Sequence, residues 1–264
     1  MDWTIMTHLA IALALGLIIG AEHGWQVRKS SEEMLALESV QAHPPTQAAG
    51  LVYASMLYGF CRDADRCQQQ ATTALRFSEQ MEVPQYANLG VFYLGYALSL
   101  AGQGAGGLPL MQQAFHDRRA SGIELSVSLM LILMADAHHR MGQWEAGLAL
   151  LSEAKSAIAQ NSERFLEAEH DRLMGELLLL SSAKNHETAA EDWFQRSLKV
   201  AQQQQARSFE LRTATSLARL WIAQGKTQAA HDLLTPIYSS FDDGGGLPDL
   251  QAAQHLLERS GLSS

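Results

Sequence analysis

Small residues return through this chain at a fixed interval. Ser55, Gly95, Ala135 and Gly175 stand 40 residues apart, and Ala218 follows Gly175 by 43. Ala74, Ala114 and Ala154 keep the same step of 40. A period in this range marks a solenoid, in which each unit buries its apolar face only against its neighbours. Of 264 residues, 47% are apolar, 18% are charged and only six are prolines, a balance that suits an ordered, helix-rich array.

Within each period the spacing is that of a tetratricopeptide (TPR) helix pair, where a small residue lets two helices approach and large residues fill the space beside it. Val91-x-x-Leu94-Gly95-x-x-Leu98 with Gly107 fits this pattern. Leu131-x-x-Met134-Ala135-x-x-His138 with Gly147, and Ala214-x-x-Leu217-Ala218-x-x-Trp221 with Ala230, repeat it at identical spacing. Asp171-x-x-Met174-Gly175-x-x-Leu178 reaches Ala190 and Phe194 only with three added residues, which the polar stretch Ser181 to His186 absorbs. Leu51-x-x-Ala54-Ser55-x-x-Tyr58 with Cys67 and Ala71 fits least well, and shorter or splayed helices are expected there.

The expected fold class is all-α, a TPR-like α-solenoid of about five helix pairs. The pairs fall near 46–60/64–80, 85–101/105–120, 123–141/144–160, 163–181/187–204 and 206–224/227–241. Asp242-Asp243-Gly244-Gly245-Gly246 breaks the pattern, and residues 248–259 offer a helix to cap the exposed apolar end.

The chain carries 19 basic and 28 acidic residues, a formal charge of −9, which argues against binding a phosphate backbone. Two cysteines, Cys61 and Cys67, make no disulfide framework and read as small buried residues.

Sequences that imitate chemical motifs reduce to repeat architecture. Gly225-Lys226-Thr227 ends like a phosphate loop, but Leu220 stands where that loop needs glycine. Gly102-x-Gly104-x-x-Gly107 lacks the strand of a dinucleotide site. His138 and His139 point about 100° apart on a helix and do not converge on one ion. His138 fills a core position and His139 faces outward. Carboxylates such as Glu167 and Asp171 read as a solvated helix face. No catalytic residue, metal ligand or cofactor is expected.

Residues 1–29 form a separate apolar N-terminal segment ahead of the array at 30–264. Ile5 to Ala21 is interrupted only by Thr7 and His8 and is flanked by Trp3, Trp25, Arg28 and Lys29. A membrane anchor through residues 5–21 is the favoured reading, with the array held on the cytoplasmic side of an inner membrane. A cleaved signal peptide and a buried helix are the rivals, and Met1-Asp2-Trp3 supplies no positive n-region for the former. Residues 9–25, with Glu22 and Gly24 at the end of the apolar run, resemble the first membrane helix of MgtC/SapB-type proteins, although His23 stands where that family has arginine.

Further on, Glu163 to Leu177, Ala190-Glu191-Asp192-Trp193-Phe194, Ser216-Leu217-Ala218-Arg219-Leu220 and Leu234-Thr235-Pro236 resemble the C-terminal repeats of bacterial adenylate/guanylate cyclase–P-loop ATPase signalling proteins. That resemblance, spanning about 45–241, implies a regulatory or scaffolding region. Neither catalytic domain of such proteins is present in this sequence.

In TPR arrays the first helix of each pair lines a concave groove. By register the residues facing it are Phe92 and Tyr96; Asp136, His139 and Arg140; Glu169, Arg172 and Glu176; and Arg212, Thr215 and Arg219. Aromatics at one end and arginines at the other suit a peptide or protein partner with an apolar and an acidic part. The expected function is thus a non-catalytic interaction scaffold. Its alternatives are a ligand- or peptide-sensing regulator and a detached regulatory piece of a cyclase/ATPase protein.

Overall fold

A computed structural model describes residues 32, 33, 35, 36, 43–123, 126–161, 163–241 and 247–259. The described residues form α1 (Pro44–Phe60), α2 (Ala64–Gln80), α3 (Pro84–Leu100), α4 (Gly104–Ala120), α5 (Val127–Arg140) and α6 (Trp144–Asn161). A 3-10 turn at Arg164–Leu166 leads into α7 (Glu167–Leu180), followed by α8 (His186–Gln203), α9 (Arg207–Ala223), α10 (Thr227–Ser239) and α11 (Pro248–Arg259). These match the expected pairs and the cap.

Local chemistry sets the boundaries. Pro44, Pro84 and Pro248 open their helices, where a missing N–H costs nothing. Asp63 caps α2 by accepting from the Arg66 N–H at 3.1 Å. The turn inside a pair needs one residue of positive φ, supplied by Gly102 (80°) and Gly225 (78°) and, unusually, by Arg62 (57°) in the first pair.

The even helices bury one narrow stripe at spacings of three and four. It is Cys67, Ala71, Ala74 and Ser78 on α2, and Ala190, Phe194, Ser197 and Ala201 on α8. The odd helices are buried far more broadly, continuously from Ala48 to Phe60 on α1 and from Val127 to His138 on α5. That difference follows from topology. Each odd helix packs on the next odd helix, from α1 through α11, as well as on its even neighbours. The odd helices therefore make the inner layer and the even helices the outer one.

Small residues sit where the layers cross. A Cβ on Gly95 would lie 2.5 Å from the Gly107 carbonyl oxygen, and a Cβ on Gly107 would collide with the Gly95 carbonyl. At Gly175 a Cβ would meet the Phe194 ring at 2.5 Å. Ser55, Ala135 and Ala218 at the equivalent positions have no exposed surface.

One expectation needs correction here, and a second falls on residues outside those described. The first pair is neither short nor splayed, since α1 and α2 are each 17 residues long and pack along each other. Tyr53, Tyr58 and Phe60 supply bulk that the small-residue template does not score. Among the described residues no helix is long and apolar enough to cross a membrane, and the segment at 5–21 lies outside them.

Candidate polar pocket on the inner layer

The inner layer carries charge where a core would ordinarily be apolar. On α7, Arg172 is 2% exposed and lies between Glu169 and Glu176, one turn to either side. Its Nε and Nη2 donate to the two oxygens of Glu169 at 2.9 and 2.8 Å, and Nη1 donates to Glu176 at 3.3 Å. From α9, Arg212 donates to Glu169 at 3.2 Å and to Asp249 at 2.9 and 2.7 Å. Its Nη2 also donates to the Phe60 carbonyl oxygen at 2.6 Å, 152 positions away in sequence.

From α5, Asp136 accepts from Arg140 Nε at 2.8 Å and from the Tyr96 hydroxyl at 3.1 Å. Glu176 also accepts from the Ser216 hydroxyl at 2.5 Å and from Arg219 at 3.4 Å. Arg62, in the turn after α1, brings Nε within 3.5 Å of Asp249. The array is thus curled far enough for its first turn to touch α9 and α11, and Phe60 and Phe209 pack with ring centroids 6.1 Å apart.

Burial pushes the carboxyls of Asp136, Glu169, Glu176 and Asp249 upward, but the facing arginines outweigh it and hold all four below their ordinary values. Burial pulls the His139 imidazole below its ordinary 6.5, against the pull of Glu176 and Asp136.

These side chains surround a pocket of about 160 Å³. Of the residues expected on the inner face, α5 contributes Asp136, His139 and Arg140, α7 contributes Arg172 and Glu176, and α9 contributes Arg212, Thr215 and Arg219. Glu169 stands behind them as the shared acceptor of two arginines. Tyr96 is 4% exposed and supports Asp136 from beneath. Phe92 is fully enclosed, packed edge-on against Tyr93 at 5.5 Å, and presents nothing to a partner. The aromatic end expected of the groove is therefore core.

Arg62 and Asp249 line the pocket and were not foreseen. Arg62 had a signal, because it stands 40 residues before Gly102, where the register asks for glycine. Asp249 had none, since the capping helix lies outside the repeat.

Elsewhere, Asp171 is 1% exposed, not solvated as expected. It meets His170 Nδ1 at 2.9 Å and Arg196 Nε at 2.8 Å. His138 is buried against Gln143 at 2.7 Å while His139 faces the pocket. Lys226, in the loop-like Gly-Lys-Thr, pairs with Glu191 at 3.4 Å. Among the described residues no group of three or more His, Cys, Asp or Glu is placed to hold a metal.

No protein-family model matches the chain, and no curated protein matches it in sequence. Solved structures do match it in fold. A Rap protein complexed with competence and sporulation factor superposes with a TM-score of 0.66 at 14% identity, over 87% of this chain and 69% of that one. BtubC from P. vanneervenii superposes with a TM-score of 0.55 at 14% identity, over 89% and 94%. At such identities the likeness shows the fold alone, a TPR-like helical array.

The resemblances to cyclase–ATPase signalling proteins and to MgtC/SapB-type membrane proteins are corrected by these comparisons, for neither family is found. The physical reason is that helix-pair packing dictates Leu, Ala and Gly at fixed spacings, and helix surfaces favour Glu, Arg and Gln. Short strings of such residues therefore follow from the fold and do not by themselves mark a family. With the cyclase–ATPase resemblance goes the signalling reading that rested on it.

Proposed function

We propose that this chain is a non-catalytic interaction module that docks a protein or peptide partner on its inner layer, through the polar pocket between α5, α7, α9 and α11. The observation that carries this reading is the convergence of eight register-derived residues on one pocket. Helix pairs of this kind present side chains from successive odd helices to a single ligand. A solved structure of the same fold, the Rap protein, is a complex with a second molecule. A pocket of 160 Å³ is smaller than the roughly 300 Å³ at which drug-sized ligand sites begin. It suits one polar side chain or terminus of a partner whose remainder lies along the array.

The test needs the more exposed side chains of the pocket, with folding of each variant verified. Arg172 and Arg212 are unsuitable because they are buried and hold the inner layer together. Arg219 has a 58% exposed side chain and Arg140 a 27% exposed one. Co-purification with wild type and with the Arg140→Gln/Arg219→Glu double variant, both checked by circular dichroism, is the measurement. Partners reproducibly lost with the folded double variant support the pocket. Partners retained equally by both remove it from the reading.

A further inference from the structure

The pocket already receives a carboxylate, and it is the chain's own. Asp249, the second residue of α11, takes two hydrogen bonds from Arg212 and faces Arg62. Of the four carboxylates that oppose the pocket's arginines, the other three belong to α5 and α7, deep in the array. Asp249 alone is carried by the end helix. Apart from this contact α11 is lightly held: Ala253 is its one buried residue among those described, and Leu250, Leu256 and Leu257 are half-buried.

Arg62 is poised for exchange. Among the described residues its ion-pair partner is Asp249, approached through Nε at 3.5 Å, so its terminal amino groups remain available to an oxygen pair. It also holds a left-handed turn position at φ 57° that glycine fills at Gly102, Gly142 and Gly225. Backbone preference does not explain an arginine there.

We propose that Asp249 is an internal occupant of the pocket. A small oxyanion presented by a ligand, carboxylate or phosphate, takes its place on Arg62 and Arg212 and releases the start of α11. The inference rests on the pocket being the docking site and adds the chemistry of the docked group and the movement that admits it.

The experiment uses the full chain at constant ionic strength. Hydrogen exchange of the α11 amides and alkylation of Cys61 are followed; this half-buried thiol shares a small apolar niche with Phe60, Phe209 and Leu250. The additions are the blocked aspartate Ac-Asp-NH2, inorganic phosphate, or sodium chloride.

Exchange across α11 is expected to rise about tenfold with an oxyanion, as charge-assisted hydrogen bonds are given up. The more effective of the two anions identifies the source. A response no greater than that to chloride overturns the proposal. Asp249→Asn is expected to exchange fast without any anion and to bind phosphate more tightly; a folded variant with α11 still protected overturns it. Arg62→Gly preserves the turn and is expected to blunt the anion response, and an unchanged response overturns it. If partner capture depends on Arg140 and Arg219 while α11 never responds, docking stands and displacement falls.

Discussion

At the residue scale, glycines divide sharply by what surrounds them. Gly95→Ala sets a methyl group 2.5 Å from the Gly107 oxygen, forcing α3 and α4 apart, and is expected to cost about 1–3 kcal/mol. Gly106, one residue from that crossing, has nothing within 4 Å of a built Cβ, so Gly106→Ala is expected to be neutral or to stabilise by up to about 1 kcal/mol. Thermal unfolding of the pair checks both signs.

Arg172 is a different case. Replacing it by Gln leaves Glu169 and Glu176 buried with less compensation, an expected loss of about 3–5 kcal/mol read in urea unfolding. Sequence spacing located the glycines because sterics repeat with the period. It misread Asp171 and Phe92 because burial of one side chain depends on what lies across the array.

At the element scale, the paired helices could be read before any coordinates because each carries its own apolar stripe and its own start and stop residues. The first pair was undervalued because the template looks for small residues, whereas α1 fills its surroundings with Tyr53, Tyr58 and Phe60. The α7–α8 crossing tests whether such packing holds neighbouring helices together. Phe194 is fully buried and closes directly over Gly175, so Phe194→Ala opens a cavity and is expected to lower stability by about 3–5 kcal/mol. Its effect should appear first as faster hydrogen exchange in α8, since a solenoid transmits damage mainly to adjoining repeats.

At the scale of the whole molecule, contacts such as Arg212 with the Phe60 carbonyl join the first turn to the last pairs. No periodicity could have announced them. They also set the response to acid. Asp136 and Asp249 have folded values below their ordinary 3.8, and Glu169 and Glu176 below 4.5. Groups shifted down contribute fully above the unfolded value and lose that contribution as pH falls through the folded one. Stability measured by denaturant titration should therefore be nearly level from pH 7 to about 5 with respect to these groups, and should decline below about 4.

The placement of partner contact on the inner layer is tested most directly by hydrogen exchange of the chain with and without a captured partner, resolved by segment. Protection is expected at 136–140, 169–176 and 212–219, with the outer helices α2, α4 and α6 unchanged. Protection confined to those outer helices, with the three inner segments exchanging as in the free chain, would contradict it.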